Sequence, residues 1–202
     1  DDNIKIIANK ITLLRSTSTI EATGDVKLID LKSNNIINSN KIFYFKNEKK
    51  IFSKGKTFVN LNNEYDIKSK NIFYYRDTMV IKSDEKSEIR DNLNNLLTLE
   101  NFNFALSKKI LRGNTVSLLD FDMNQYYFDD VMINFNSNKI IGKDITVEFN
   151  NKYFGNQRNQ PRLKGNKFEK NYDNLTISKG SFTTCKRRDG KCPPWVIYSE
   201  EI

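Results

Sequence analysis

The sequence predicts an all-β protein built from short antiparallel strands. Three observations lead to this prediction: apolar and polar residues alternate along most of the chain, a short pattern occurs six times, and no segment shows a sustained helical period. With 202 residues, 38% of them apolar and 29% charged, the chain can bury a core while much of each strand faces water.

The recurring pattern is a hexamer: an apolar residue, any residue, a small residue, Asn or Lys, any residue, and an apolar or aromatic residue. It reads "IIANKI", "INSNKI", "IKSKNI", "LRGNTV", "IIGKDI" and "LKGNKF". Its small position is occupied by Ala8, Ser39, Ser69, Gly113, Gly142 and Gly165. The first two spacings, 31 and 30 residues, fit two strands of ~10 residues joined by short turns.

Strand assignment rests on period-two alternation. Over residues 20–28 the apolar residues hold even positions and the charged residues odd ones, and a similar scheme returns at Ile51, Val59 and Leu61. In a regular strand the leading apolar residue and the small residue of the hexamer would point to one face. The closing apolar residue, three positions after the small one, would point to the opposite face. The strand therefore carries a bulge at this point, or both of its faces are partly covered.

The segments between these patterns are assigned by the same rules. "IFYF" (42–45) and "IFYYR" (72–76) read as strands with aromatic residues on both faces. The segment 87–101 is the best helical candidate, but Asn and Asp interrupt it, so we expect a loop that enters a strand. Hairpin turns are expected at 46–50, 107–109 and 136–139. About a dozen strands would then form an elongated sandwich, a jelly roll or a stack of hairpins.

The composition argues against an enzyme. The chain has no histidine, which excludes a Ser-His-Asp or Cys-His site, and its two cysteines are too few thiols for a structural zinc site. Neighbouring carboxylates, such as Asp129 with Asp130 and Glu200 with Glu201, point to opposite faces of a strand. We predict no catalytic residue, no metal and no cofactor, and a β-solenoid carbohydrate enzyme is disfavoured.

The formal charge of +8 favours an anionic partner, although Lys, Ile and Asn also share A/T-rich codons. "KIFYFK" and "NIFYYRD" interleave aromatic and basic residues, as binders of single-stranded nucleic acid do, but cross-strand packing is the favoured interpretation. No apolar stretch is long enough to span a membrane, and the opening "DDNIKIIANK" lacks the apolar region of a signal peptide, so the chain as given is expected to be soluble.

The apolar faces of the predicted strands are the candidate binding site. Their side chains either fill a closed core or line a groove long enough for acyl chains, and periodicity does not separate these two alternatives. The residues of this face are Ile11, Leu13, Val26, Leu28, Ile42, Val59, Ile72, Val116, Leu118, Ile145 and Val147.

The C-terminal segment "PRLKGNKF…LTISKGSFTTCKRRDGKCPPWVIYSEEI" resembles the end of the periplasmic N-terminal domain of the LptD family of LPS-assembly proteins. The upstream hairpins resemble the OstA-like repeats of LptD, LptA and LptC. The resemblance implies a twisted β jelly roll, open along one side, that conducts lipopolysaccharide with its acyl chains inside. It also implies docking of LptA at the N-terminal edge, and delivery to the protein's own outer-membrane barrel, which is assembled with LptE.

This resemblance implies an OstA-like domain at residues 1–184 and a cysteine- and proline-rich exit segment at 185–202, leading to a barrel that this chain lacks. It places the protein in the periplasm of a Gram-negative bacterium, as part of an outer-membrane protein, with no nucleic-acid partner. Cys185 matches the family cysteine that pairs with the barrel, whereas Cys192 permits a local bridge, and free thiols are the third alternative. The other functional hypotheses are an LptA-like free bridge protein and a basic module that binds nucleic acid or polysaccharide.

Overall fold

A computed structural model describes residues 3–154, 158–171, 174–187, 191 and 193–202. These residues form seventeen β-strands, three 3-10 helices and no α-helix, which confirms the all-β prediction. The strands are β1 (Ile4–Ile7), β2 (Lys10–Leu14), β3 (Thr19–Asp30), β4 (Asn35–Phe45), β5 (Lys50–Leu61), β6 (Tyr65–Lys70), β7 (Phe73–Tyr75), β8 (Val80–Ser83), β9 (Ser87–Asp91), β10 (Leu96–Leu99), β11 (Asn101–Ala105), β12 (Ile110–Leu119), β13 (Gln125–Asn134), β14 (Lys139–Glu148), β15 (Arg162–Lys170), β16 (Leu175–Thr183) and β17 (Ile197–Glu201). The 3-10 helices are Arg15–Thr17, Leu106–Lys108 and Asn151–Tyr153.

All strand pairs are antiparallel and follow the order of the chain. β1 and β2 lie end to end along β3, which continues to β4 and β5. Each of the next three positions in the sheet is shared by two short strands that lie end to end. These are β6 with β7, then β9 with β8, and then β10 with β11. From β12 to β17 each strand pairs with its sequence neighbours. At four positions in the sheet the strand is broken into two shorter strands. This is why the structure has seventeen strands where about a dozen were predicted.

A kink within the hexamer allows its first and last apolar residues to face the same side of the strand. In β12, Leu111 and Gly113 face inward, the next two residues are exposed, and Val116 and Leu118 face inward again. The second exposed residue, Thr115, has φ 48°, in the left-handed region, and Asp144 takes the same conformation in β14. Between β4 and β5 the register itself shifts near Ser39. The bulge alternative is therefore correct, and it keeps the inward face apolar on both sides of the kink.

The small residue of the hexamer has close neighbours in the copies that contain Ser39, Gly142 and Gly165. In the N-terminal copies it is often serine: the Ser39 hydroxyl lies 3.1 Å from the carbonyl oxygen of Lys56, beside the register shift. In the C-terminal copies it is glycine: a Cβ on Gly142 would lie 2.2 Å from a ring carbon of Phe128, and one on Gly165 would lie 2.2 Å from a methyl carbon of Ile177. At the two glycines these contacts leave no room for a larger side chain.

The kinks divide the sheet into two leaves. Leaf A contains the strand segments that end at the turns 46–49, 76–79, 106–109 and 135–138. Leaf B contains the strand segments that end at the connections 31–34, 62–64, 92–95 and 120–124. Inward side chains from both leaves form one hydrophobic core. The tips of the two leaves approach each other along a line that we call the seam, opposite the kinks.

Two sequence predictions are resolved by the local structure. The expected turns at 46–50, 107–109 and 136–139 are confirmed, apart from the flanking residues that belong to strands. The loop expected within 87–101 is partly wrong, because Ser87–Asp91 forms β9 and pairs with both β6 and β10. Its side chains alternate between buried and exposed, with Ser87 and Ile89 inside, and this period-two pattern overrides the helical appearance.

Candidate functional site

The predicted apolar face lies between the two leaves. Nine of its eleven residues are at most 8% exposed and belong to the core: Val26, Leu28, Ile42, Val59, Ile72, Val116, Leu118, Ile145 and Val147. The other two, Ile11 and Leu13, are 50% and 52% exposed on β2. They pair with Ala22 and Ile20 and so share the inward side of the sheet. The interior is therefore packed along most of its length and open at the edge formed by β2.

An ion pair joins the leaves across the seam near the N-terminal end. The Arg76 guanidinium donates to both carboxylate oxygens of Asp30, from Nε at 3.0 Å and from Nη2 at 3.3 Å. Tyr74 also donates to Asp30, and Arg76 donates to the hydroxyl of Tyr44 at 3.1 Å. Burial raises the pKa of Asp30, but the hydrogen bond and charge of Arg76 outweigh it, so this pKa lies below its ordinary value.

A second group of contacts closes the seam further along the chain. Lys109 Nζ lies 2.6 Å from Glu64 Oε2, linking a turn of leaf A to a turn of leaf B. The Tyr65 ring of leaf B packs edge-on against Phe104 of leaf A, at 5.2 Å between centroids, and against Phe135 at 5.0 Å. Burial, followed by the charges of Glu64 and of Asp91, raises the pKa of Tyr65 to about 12. Tyr65 therefore remains an uncharged part of the closure at neutral pH.

Beyond Tyr65 the seam opens into a cavity of about 630 Å³, which we call the seam cavity. Leaf B supplies Leu97, Leu118 and Tyr126 to its wall, and leaf A supplies Ile133 and Ile140. Leu97, Leu118, Tyr126 and Ile133 are 1% to 8% exposed and are part of the core. The cavity is thus an opening of the apolar interior toward the surface.

Two loops with the same hydrogen-bonding pattern form the rim of the seam cavity. In the first, Asp91 accepts from the backbone N–H groups of Leu93 and Asn95, both at 2.9 Å. In the second, Asp120 accepts from the backbone N–H of Asn124 at 2.8 Å. Asp120 also accepts from the hydroxyl of Tyr126 at 3.1 Å. Asp91 and Asp120 thus hold the two loops, as in other Asx turns.

The tips of these loops carry large apolar side chains that face water. Leu93 is 65% exposed and Phe121 is 70% exposed, and both contribute to the rim of the seam cavity. The backbone N–H of Phe121 donates to the side chain of Asn95 at 3.2 Å, so the two loops are joined. Met123, 62% exposed, lies on the second loop but is not among the residues that line the cavity.

Of the residues that line the seam cavity, sequence reasoning identified only Leu118. Leu97 and Tyr126 were missed, although each is the direct cross-strand partner of Leu118, on β10 and on β13. The hairpin register would have revealed them once Leu118 was assigned to the inward face. Ile133 and Phe135 were missed because leaf A and leaf B meet only in the folded molecule.

The aromatic residues interleaved with lysine form a ladder on the outer face of leaf A. Phe43, Phe52 and Phe73 stack across three strands, with centroids 6.2 and 4.6 Å apart and ring planes within 22° of parallel. Lys41 Nζ lies 4.9 Å from the ring centroid of Phe43, and Lys82 Nζ lies 5.9 Å from that of Phe73. Ring faces already covered by other rings and by lysines are poor platforms for stacked bases.

The C-terminal segment returns to the sheet. Trp195 packs on Phe182 of β16, at 6.3 Å between ring centroids, and its carbonyl accepts from the Thr183 hydroxyl at 2.8 Å. β17 then pairs with β16. The backbone carbonyl of Cys185 accepts from Arg162 Nη1 at 2.6 Å. The predicted Cys185–Cys192 bridge involves a residue outside the described part of the chain, so it stays a prediction.

The described residues hold no group of three or more Cys, Asp or Glu side chains placed to bind a metal ion. In the same part of the chain, no helix has the length and apolarity that crossing a bilayer requires. No protein-family model matches the sequence, and no curated protein matches it.

One solved structure with a similar fold is the crystal structure of LptH, the LptA homologous periplasmic component of the conserved lipopolysaccharide transport device from Pseudomonas aeruginosa. The match covers 55% of this chain and 81% of that chain, with 15% identity and a TM-score of 0.48. A likeness at this level does not bear on function.

Proposed function

We propose that this chain is a non-enzymatic conduit for lipopolysaccharide, which carries the acyl chains between its two leaves. The observation that supports the proposal is the continuous apolar interior, exposed at Ile11 and Leu13 on one edge and opening again at the seam cavity. Each acyl CH₂ moved from water into such an interior gains ~0.8 kcal/mol. Many weak, non-directional contacts of this kind allow a lipid to advance without a tight binding pocket.

Passage of lipid requires the leaves to part, because the predicted lining side chains are packed against one another. Val26, Ile72 and Val147 are each 1% exposed. An acyl chain that replaces these contacts supplies apolar atoms in their place, so the main cost lies in opening the polar closure between Asp30 and Arg76. The net positive charge of +8 suits the phosphates of an anionic glycolipid that remain outside.

Site-specific photo-cross-linking in cells tests this function. A photoreactive residue at Val26, Ile72 or Val147 should capture lipopolysaccharide. The same residue at Lys27, Phe73 or Thr146, the adjacent positions with the opposite orientation, should not. Equal capture by the two sets would contradict the conduit, since it would reflect adsorption to the surface.

The finer assignment, to the periplasmic domain of an LptD-like protein and not to an LptA-like bridge, rests on the resemblance of the C-terminal segment. In this proposal residues 1–184 form the OstA-like domain and 185–202 lead toward an outer-membrane barrel assembled with LptE. The N-terminal edge would receive lipid from LptA by strand addition to β2. A cross-linker at Thr12 on β2 should then capture an LptA-like protein, and cross-links to copies of this chain instead would favour the free bridge.

Cys185 and Cys192 are proposed to form a local bridge in the oxidising periplasm. Such a short closed loop would contribute up to ~2–3 kcal/mol if unstrained. Counting reactive thiols in the denatured, non-reduced protein decides the point: none supports the bridge, and two per chain exclude it.

A further inference from the structure

We infer that an open groove on the outer face of leaf B binds a water-soluble saccharide unit that carries one anionic group, such as a sugar phosphate. The groove lies beside the kinks of β3 to β6 and has a volume of about 620 Å³. We call it the kink groove. Because the kinks lie opposite the seam, this site is separate from the seam cavity, and the inference goes beyond the proposed function without resting on it.

An aromatic ring lies between polar side chains in the kink groove. Phe58 of β5 is half-buried, and its cross-strand partners are Asn38 on β4 and Lys68 on β6. Asn40 and Lys56 line the groove at the kinks. A sugar ring has a matching character, with C–H groups on its faces and hydroxyl groups around its edge. It can therefore lie on Phe58 while its hydroxyls meet the polar side chains.

The polar side chains of the kink groove have hydrogen-bonding capacity to spare. Within the described part of the chain, five of them form no hydrogen bond and no ion pair with another residue: Asp25, Asn38, Asn40, Lys56 and Lys68. At the seam cavity, by contrast, Asp91 and Asp120 are engaged by their own loops. Amides, ammonium groups and a carboxylate together offer the donors and acceptors that the hydroxyls of one sugar require.

The ring of Phe58 is also free to stack. On the same strand, Phe52 is stacked between Phe43 and Phe73 in the ladder of leaf A. Among the described residues, Phe58 stacks on no other aromatic ring and has no cation over its face. Phe58 is therefore the ring of β5 that a ligand can cover.

Buried hydroxyl groups form the floor of the kink groove. Ser39, Thr57 and Ser69 line it and are at most 9% exposed. The Ser39 hydroxyl donates to the carbonyl oxygen of Lys56 at 3.1 Å, and Thr57 Oγ1 lies 3.3 Å from Ser39 Oγ. Since each hydroxyl has one donor and two acceptor sites, these groups retain acceptor capacity. The floor is polar and held in place by its own hydrogen bonds, which lowers the entropy cost of binding.

The charges around the kink groove favour an anionic group on the sugar. Lys56 and Lys68 line it together with one carboxylate, that of Asp25. Cross-strand partners of the lining residues add two lysines and one further carboxylate: Lys27, Lys70 and Glu88. Basic side chains thus outnumber acidic ones both in the lining and around it. A phosphate near Lys56 and Lys68 is attracted, while Asp25 can accept from a sugar hydroxyl.

Titration of the whole chain with glucose 6-phosphate, followed by NMR chemical shifts, tests the site. We expect saturable binding, with glucose and inorganic phosphate each about threefold weaker or more, because each makes only part of the contacts. Phe58→Leu should weaken binding of glucose 6-phosphate about threefold or more and leave inorganic phosphate within about twofold, since the ring contacts only the sugar. Phe52→Leu is the matched control: it removes a ring of the same strand that the ladder covers, and affinity should stay within about twofold.

Lys56→Gln tests the anionic group. It should weaken binding of glucose 6-phosphate about threefold or more but leave binding of glucose unchanged, because only the phosphate carries a charge. Lys164→Gln, at an exposed position of β15, makes the same change in net charge away from the groove and should have no effect beyond about twofold. Both lysines are exposed, so the fold should be preserved, and circular dichroism checks this. Equal losses in the two variants would show that net charge alone attracts the ligand.

Several results would overturn the saccharide site. They are the absence of saturable binding, binding of inorganic phosphate as tight as that of glucose 6-phosphate, and equal losses in Phe58→Leu and Phe52→Leu. Tighter binding of adenosine monophosphate than of glucose 6-phosphate would identify a nucleotide as the ligand and would also overturn the saccharide. The cross-links at Val26 and Val147 test the lipid conduit separately, so either proposal can fail without the other.

Discussion

Arg76 and Asp30 are separated by 46 positions in the chain, yet the guanidinium of one lies 3.0 Å from the carboxylate of the other. Their side chains are 9% and 3% exposed, and they belong to different leaves. The pair is bidentate, and Tyr74 donates a further hydrogen bond to the carboxylate. This contact closes the seam near the N-terminal end, and its removal has measurable consequences.

Asp30→Asn should lower the free energy of unfolding by about 3 kcal/mol. Removing one partner of a buried ion pair leaves the other charge without compensation, which costs roughly 3–5 kcal/mol, and the retained amide oxygen can recover a part of this. Urea unfolding followed by circular dichroism measures the change.

The control is Asp77→Asn, because the ion pair of Asp77 with Lys49 has side chains 62% and 52% exposed. An exposed pair contributes at most ~1 kcal/mol, so similar losses in the two variants would contradict the importance of burial.

Asp30 also predicts a pH dependence. Its pKa in the folded protein lies below its ordinary value, because the stabilisation by Arg76 exceeds the effect of burial. Its contribution is therefore complete above the unfolded carboxyl pKa of ~3.9 and is lost as the pH falls through the lower, folded pKa. Unfolding of the wild type and of Asp30→Asn at a series of pH values from ~6 to ~2.5 should give curves that converge on acidification. Parallel curves would show that Asp30 titrates alike in both states.

Gly142→Ala should destabilise the protein by about 1–3 kcal/mol, because overpacking a core has this typical cost. The added Cβ would lie 2.2 Å from the Phe128 ring, which is buried and packs against Phe168 and cannot move freely. Thermal or urea unfolding measures the loss.

Lys143→Ala, at the exposed neighbouring position, is the control and should change stability by less than ~0.5 kcal/mol. The double variant Gly142→Ala/Phe128→Leu should lose less than the sum of the single variants, and strict additivity would argue against the clash.

Phe52→Thr separates a structural ladder from a nucleic-acid platform. Phe52 stacks on Phe73 at 4.6 Å and on Phe43 at 6.2 Å, so its loss should lower stability by about 1–2 kcal/mol. Any affinity for a single-stranded oligonucleotide, measured by fluorescence anisotropy at low and high salt, should stay the same. Asn103→Thr, an exposed outward residue of the same leaf, is the control for stability. A selective loss of oligonucleotide binding in Phe52→Thr would revive the stacking interpretation.

The sequence by itself determined most of the strands, the inward face and the positions where the alternation changes. Alternation at Val26 and Leu28 identifies a buried face because side chains of a strand point alternately to opposite sides. The change of parity between Gly113 and Val116 predicts, for the same reason, either a bulge or partial cover of both faces, and the small residue indicates a close neighbour. These are local properties, set within a few residues by backbone geometry.

Only the tertiary structure decided which inward residues meet and where the interior opens. Asp30 and Arg76, or Leu118 and Ile133, come together across two leaves, and no local pattern specifies contacts between distant hairpins. Ile11 and Leu13 obey the same alternation as the core yet remain exposed, because burial depends on whether a second leaf covers the residue. Period-two patterning specifies the side of a sheet, and the approach of the opposing leaf decides whether that side is core, cavity or surface.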